Sequence, residues 1–455
     1  MLDHCFLFPA DNIEGFDPDV IRLVKEMKPA IIRWPGGNFA SQYNWLDGIG
    51  PIENRPIRLN RAWNIPEYNY VGTDEFIKFC RLVRAEPLIC VNAGDGAPEL
   101  AAAWVEYCNG DANTTYGRLR AENGHPEPYN VKYWEIGNEL YGPWQIGHTD
   151  AQGYAERYNL FYKAMTKVDP NIKIIANGGW DRATIENDWY EWDITLIKRN
   201  GEKVRSLSRH YLIWVGNTEI DYLRAMAYTF WLRAHLKDVK KELSNYLNDP
   251  RIAITEVQGG RDLDISATML EALFYSGIIN TAINLNGFIE IITHSSLMWF
   301  GGGLRKEREI VYPTPAYFAQ KLYATQPGRW PAKVKISTPM FSVSSAPPEI
   351  PDIKNAPYID AVALLNDNGS ILSLIITNFH PIKPIKVSVS FKGFTFREDV
   401  KLNILSGVTY LSGNSWNYPE AVRIVESIIV AQDQKIEYVL PPCSIVLFTL
   451  NQQKY

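Results

Sequence analysis

Two glutamates stand out by where they fall. The stretch "KYWEIGNE" (132–139) is apolar and strand-like until it closes on Asn138-Glu139. A carboxylate at the end of a buried strand is expensive unless it is paired or put to use. Glu256, in "RIAITEV" (251–257), occupies a matching place near the end of another apolar run. Two such groups, held about 5–5.5 Å apart, suit retaining glycoside hydrolysis. One, protonated, donates to the leaving oxygen; the other, ionised, attacks the anomeric carbon. Their mutual repulsion pushes the two pKa values apart, so one residue type can fill both roles.

Polar residues gather around this pair. Arg33 could hold a nucleophilic carboxylate ionised, Tyr211 could donate a hydrogen bond to it, and Asn138 could hold a sugar hydroxyl. Each residue also has a structural reading. Glu139 could pair with Arg33, and Glu256 could sit in a structural ion pair. Glu135, two pleats before Glu139, reads as a buried support, and Glu290 as part of a polar network. His210 is more often a satisfied hydrogen-bonder than a base. Taken jointly, at matching strand ends, Glu139 and Glu256 point to catalysis. The seven His are scattered without an HExxH or paired spacing, so no metal site is expected. "GGGLRK" (301–306) lacks the Ser/Thr and preceding strand of a phosphate loop and reads as a flexible loop. "GGWDRATIENDWYEW" (178–192), with three Trp, reads equally as a substrate wall or a packed lid.

The elements that must carry these groups recur in a regular rhythm. Strand candidates are "HCFLF" (4–8), "AIIRW" (30–34), "PLICVNAG" (87–94), "KYWEIGNE" (132–139), "IKIIANGG" (172–179), "SLSRHYLI" (206–213), "RIAITEV" (251–257) and "FIEIITHS" (288–295). Between them lie amphipathic stretches such as 74–85, 155–168 and 269–283, with apolar residues at i, i+3 and i+4. Continuous apolar strands alternating with helices imply a parallel sheet, and eight such units fit a (β/α)8 TIM barrel. In that fold chemistry collects at the C-terminal strand ends. Those ends here carry Arg33 and Asn38, Asn92 and Asp95, Asn138 and Glu139, His210 and Tyr211, Glu256, and Glu290 with His294. After about residue 325 the rhythm changes to strand upon strand joined by turns such as Asp367-Asn368-Gly369. This predicts a catalytic α/β barrel over 1–327 and a C-terminal antiparallel β-sandwich over 328–455.

Bulk properties narrow the class. The chain has 455 residues, 46% apolar and 21% charged, with net charge −5. Interspersed charges leave no basic footprint for nucleic acid, and no apolar run approaches the ~20 residues that span a bilayer. The start, "MLDHCFLFPADNIEGF", lacks a basic n-region and a long h-region, so no signal peptide is recognised. Five scattered Cys read as thiols of a reducing compartment, and a cytoplasmic protein is expected. The 14 Trp and 25 Tyr exceed what a core needs, and their flat faces suit carbohydrate.

Several blocks together resemble a known family. "IIRWPGGNFASQYNWLDGIGP", "NRPIRLNRAWNIPEYNYVGTDEFIKFC", "AEPLICVNAGDGAPELAAAWVEYCNG" and "YWEIGNELYGPWQIG" are similar to successive blocks of the glycoside hydrolase family 51 α-L-arabinofuranosidases. "TPAYFAQKLYA" (314–324) and "LPPCSIVLFTL" (440–450) resemble that family's last barrel helix and final sandwich strand. The resemblance implies a retaining mechanism with Glu139 as acid/base, Glu256 as nucleophile, and glycone contacts from Asn38, Asn138 and Tyr211. It further implies a homo-oligomer that needs no metal or other cofactor. Arg33, Trp144, Trp180, His210 and His294 complete the expected substrate-binding set. The chain departs from the family where Asp3-His4 replaces a Glu before a His, where Thr255-Glu256-Val257 replaces Asp-Glu-Trp, and where His294 replaces a Gln. The expected activity is therefore exo-acting release of terminal arabinofuranosyl groups from plant-type oligosaccharides. Two alternatives stay open: a β-glycosidase or endoglucanase on gluco- or xylo-oligosaccharides, and an inactive carbohydrate-binding barrel.

Overall fold

The computed structural model describes residues 10–181, 188–299, 301–346 and 348–453. The "HCFLF" strand candidate, Cys5, Asp3-His4 and part of the Trp-rich 178–192 segment lie outside them. A seven-stranded sheet runs in strict chain order: β1 Ile31–Trp34, β2 Glu86–Val91, β3 Tyr133–Ile136, β4 Lys173–Asn177, β5 Ser206–Val215, β6 Arg251–Gly260 and β7 Ile289–Ile292. Pairing is parallel from β1 through β5, with registers such as Arg33↔Leu88, Cys90↔Glu135 and Glu135↔Ile175. Each strand matches an apolar run read from the sequence. Helices α1 Pro18–Met27, α2 Thr73–Val83, α3 Pro98–Asn109, α4 Ala151–Val168, α5 Asp188–Asn200, α6 Glu219–Leu243 and α7 Met269–Asn284 alternate with them.

Local chemistry sets several boundaries. At the start of α2, Glu75 reaches back to accept the Gly72 N–H at 2.8 Å, and the helix ends at Arg84 in the left-handed region. Asp150 caps α4 by accepting from Gly153 N–H at 2.7 Å. β3 is shorter than the sequence pattern implies. Gly137, at φ +84°, turns the chain out of the strand, so Asn138 and Glu139 follow β3 rather than belong to it.

By internal contacts the chain forms two compact units. The first comprises Met1–Lys25, Pro29–His210 and Lys240–Thr255; the second comprises Glu26–Lys28, Tyr211–Val239 and Glu256–Tyr455. In the first, an aromatic core gathers Trp34, Trp45, Trp104 and Trp134, with Trp45 stacked on Trp104 at 5.9 Å.

In the second unit, α8 Pro315–Thr325 precedes a six-stranded antiparallel sheet. Its strands are β8 Trp330–Ala332, β9 Ile359–Leu365, β10 Ile371–Asn378, β11 Asp399–Ser406, β12 Ile424–Val430 and β13 Ser444–Asn451, in the order β8-β9-β10-β13-β11-β12. One face packs Ala361, Leu374, Val400 and Phe448 into a core. β9 is nonetheless buried along both faces, because Asp360 is held by Arg233 Nη1 from α6 and Asn280 Nδ2 from α7, each at 3.0 Å. The "GGGLRK" segment is a correction to the sequence reading. Leu304–Glu307 pairs antiparallel with Ile310–Pro313, so its second half is a hairpin strand.

Candidate active site

Glu139 is presented by the turn that ends β3. Its own φ is +45°, a left-handed value that a glutamate adopts at a cost of about 1–3 kcal/mol. The turn is held by its neighbours: Leu140 N–H donates to Asn177 Oδ1 at 2.6 Å, at the end of β4. Tyr154 on α4 donates its hydroxyl to Ile136 carbonyl at 2.8 Å and accepts Asn177 N–H at 2.7 Å. A Cβ at Gly137 would lie 2.5 Å from Leu140 Cδ1, so the glycine answers both the turn and the packing.

Both oxygens of Glu139 are met by donors or by a group able to donate. Oε1 lies 2.7 Å from His210 Nδ1 and takes a long contact from the Tyr141 hydroxyl at 3.4 Å. Oε2 accepts Trp144 Nε1–H at 2.7 Å. Only 12% of the Glu139 side chain is exposed. Burial pushes its carboxyl pKa up, but His210, Trp144 and the Arg33 charge outweigh that and hold it below the ordinary carboxylate range. The imidazole beside it thus draws Glu139 toward the ionised form.

Behind Glu139 runs a line of buried polar groups. Arg33, on β1, donates from Nε to Glu135 Oε2 at 2.6 Å and from Nη2 to Asn138 Oδ1 at 2.7 Å. The Glu135 side chain is fully buried, the support role its strand position implied. Its other oxygen accepts the Thr255 hydroxyl at 3.2 Å, and Thr255 Oγ1 lies 3.0 Å from His210 Nε2. Both His210 nitrogens are thus engaged, and either would have to leave a partner to ligate a metal. Asn138 is buried; its Nδ2 makes a long contact of 3.5 Å to Gln145 Oε1. Gln145 also hydrogen-bonds Ser41 and reaches the Asn38 carbonyl at 3.4 Å.

An aromatic wall flanks the carboxylate. Trp144 is 42% exposed, with Trp180 edge-on at 5.0 Å. Tyr141 stacks on Trp180 at 5.9 Å. The loop that bears Trp180 is anchored from beneath, where buried Arg209 pairs with Asp181 and Asp193 and Asp193 accepts Gly179 N–H. Of the expected site residues, Arg33, Asn138, Glu139, Trp144, Trp180 and His210 are therefore joined by hydrogen bonds or ring contacts within the first unit.

Tyr211, Glu256 and His294 belong to the second. Tyr211, buried, follows His210 in β5, and half-buried Glu256 follows Thr255 in β6. Ser295 donates both N–H and hydroxyl to the Val257 carbonyl, at 3.3 and 3.0 Å, which ties the loop after β7 to the residue beyond Glu256. His294, in that loop, has Nε2 3.2 Å from Glu271 Oε1 but outside hydrogen-bonding direction. Tyr275 meets its ring at 4.9 Å. Glu271 itself accepts the N–H groups of Gly259 and Gly260. Glu290 faces solvent on β7, so the polar network expected there is absent from its surroundings among the described residues.

Sequence reasoning gave Thr255 no role beyond a departure from the family pattern, and passed over Gln145 and Ser41. Thr255 offered a signal, as a hydroxyl in the otherwise apolar run immediately before Glu256. Gln145 and Ser41 offered none, because their roles arise only from the packing of two loops.

Comparison with known proteins gives a consistent result. Residues 23–210 match the α-L-arabinofuranosidase 1 domain family and residues 303–444 the α-L-arabinofuranosidase C-terminal domain family. The intracellular exo-α-(1→5)-L-arabinofuranosidase 1 of Bacillus subtilis is 30% identical over 417 residues, covering 85% of this chain and 80% of that protein. A probable α-L-arabinofuranosidase C of Aspergillus niger is 29% identical over 453 residues, covering 95% and 88%. The crystal structure of the Thermotoga maritima α-L-arabinofuranosidase in complex with arabinose superposes with a TM-score of 0.89 at 31% identity, covering 97% of this chain and 92% of that one.

Proposed function

This chain belongs to the glycoside hydrolase family 51 α-L-arabinofuranosidases, and from that membership we propose that Glu139 and Glu256 carry out a retaining, exo-acting release of terminal α-L-arabinofuranosyl groups. The observation that carries the assignment of Glu139 is its setting. A glutamate is held in a left-handed turn at a strand end, with donors at both oxygens and an exposed Trp beside it. That geometry stabilises a carboxylate whose charge changes during turnover.

In the first step Glu256 attacks the anomeric carbon while Glu139 protonates the departing glycosidic oxygen. In the second, Glu139 takes a proton from the water that displaces Glu256. Asn38, Asn138, Tyr211 and His294 are assigned to the glycone, with Arg33 orienting Asn138 and with Trp144 and Trp180 flanking the leaving group. The Asn38 side chain makes no hydrogen bond among the described residues, which suits a ligand contact. The name of the Bacillus subtilis relative, an intracellular exo-α-(1→5)-L-arabinofuranosidase, supports α-1,5-linked arabinofuranosyl substrates and a cytoplasmic location. Buried free thiols at Cys80, Cys90, Cys108 and Cys443 fit a reducing compartment. The reading extends to a closed (β/α)8 barrel over 1–327, to a sandwich over 328–455, and to a homo-oligomer.

A panel of aryl glycosides with soluble glucans tests the substrate, the expected result being turnover of arabinofuranosides alone. Glucan cleavage without arabinofuranoside turnover overturns the reading. Glu256→Ala should be rescued by azide to give a glycosyl azide of inverted anomeric configuration, and a rescued product of retained configuration would contradict Glu256 as nucleophile.

A further inference from the structure

The hydrogens around His210 can be counted. Glu135, in an ion pair with Arg33, offers only acceptors, and its Oε1 takes the single hydroxyl hydrogen of Thr255. Thr255 Oγ1 therefore meets His210 Nε2 as an acceptor, and Nε2 carries a hydrogen. The tautomer is thus set from behind by a chain that begins at Arg33. Between His210 Nδ1 and Glu139 Oε1, 2.7 Å apart, there is room for one hydrogen. Either Nδ1 holds it, giving imidazolium and carboxylate, or Oε1 holds it, giving neutral imidazole and carboxylic acid. Oε2 is not an alternative resting place, because Trp144 Nε1–H already points at it.

We propose that His210 stores the proton that Glu139 donates, passing it through the Nδ1–Oε1 contact. This rests on Glu139 being the acid/base. In the free enzyme the proton lies on Nδ1. As the glycosidic C–O bond breaks, its electron pair goes to the leaving oxygen, Glu139 gives that oxygen a proton, and Nδ1 is left neutral. When water attacks the glycosyl–enzyme, the bond to Glu256 breaks, and water's proton passes to Glu139 and back to Nδ1. One proton is used and one returned, with no other reactant. His210 is on this account a positioning residue for the proton rather than a group that touches the sugar. Among the described residues, titratable groups around the couple include Glu135, Arg33, Cys90 (3.9 Å from Arg33 Nη2) and Tyr141, with Glu256 and Tyr211 as the chain neighbours of Thr255 and His210. Because the proton belongs to the pair, its loss is one macroscopic event.

The test is the pH profile of kcat/KM for His210→Gln, which keeps a neutral hydrogen-bonding side chain but cannot titrate. With a poor leaving group, such as an alkyl arabinofuranoside, the alkaline limb should move to lower pH by roughly two units, the gap between imidazole and carboxylate values. With a 4-nitrophenyl arabinofuranoside, which needs little protonation, the limb should stay in place. An unchanged limb on the poor leaving group, with a uniformly lower rate, would show that His210 only orients Glu139 and would overturn the proposal. If Glu139→Gln hydrolyses poor leaving groups normally, the acid/base reading fails instead. Should the variant not fold, 15N NMR of histidine-labelled wild type decides. Nε2 should remain protonated while Nδ1 titrates, and a neutral form protonated at Nδ1 overturns the proposal.

Discussion

Replacing Arg33 and Glu135 singly and together measures the foundation under Glu139. The pair is buried, with 6% and 0% of the side chains exposed, and Nε and Oε2 are 2.6 Å apart. At an effective dielectric of about 20, unit charges at that separation attract by about 6 kcal/mol. That attraction is offset by taking both ions out of water, so the pair's net worth is small. Removing one partner alone strands the other charge, at about 3–5 kcal/mol. Arg33→Met and Glu135→Met should each lose that much. The double variant strands neither charge. It leaves the Asn138 carbonyl and the Thr255 hydroxyl each short of one partner, at about 1–3 kcal/mol for each buried group. The double should therefore cost less than the sum of the singles by about 3 kcal/mol or more. Urea unfolding followed by tryptophan fluorescence gives the three values. Additivity within about 0.5 kcal/mol would refute the account, because it would mean the two charges do not depend on each other.

Gly137→Ala should cost more than about 1 kcal/mol and lower kcat, since the new methyl meets Leu140 at a backbone angle only glycine holds cheaply; wild-type activity and Tm would refute it. Asn177→Ala should leave the Leu140 N–H unsatisfied and cost about 1–3 kcal/mol, with kcat falling more than KM rises; the two constants measured on one aryl substrate check this. Glu139→Gln probes linkage. The Glu139 carboxyl is held low in the folded state, so its contribution is present above the ordinary carboxylate range and is lost as pH falls through its lowered value. The deficit in Tm of the variant should thus be full at neutral pH and shrink in acid, and a deficit that grows in acid would refute the sign.

Much of this architecture was legible because hydrophobic periodicity reports burial directly. All seven described strands of the sheet coincide with apolar runs, and α4 and α7 with i, i+3, i+4 patterns. Glu139 was legible too, since a charge closing an apolar run is costly wherever it lies. What periodicity does not encode is direction. Glu290 sits in an apolar run like Glu135, yet one faces solvent and the other is sealed against Arg33, because the side-chain period of two lets one strand serve both faces. The limits of β3 turned on Gly137, whose φ > 0 ends the strand before Asn138 and Glu139. The partner of Glu139 depended on long-range placement, from β5 and β6, that no local pattern specifies.

Thr255 shows what the remaining step requires. In the sequence it is one departure from an Asp-Glu-Trp pattern and reads as a neutral change beside the proposed nucleophile. In the structure its hydroxyl has a direction: it donates to Glu135 and accepts from His210. A carboxylate at that position could only accept, would crowd a second negative charge against Glu135, and would favour a permanently charged imidazole. A hydroxyl transmits the tautomer without adding charge, which leaves the proton between His210 and Glu139 able to move. The chemistry of the pair is therefore set by the residue preceding Glu256 as much as by Glu139 itself, through a chain of three hydrogen bonds whose order depends on having a donor and an acceptor in one side chain.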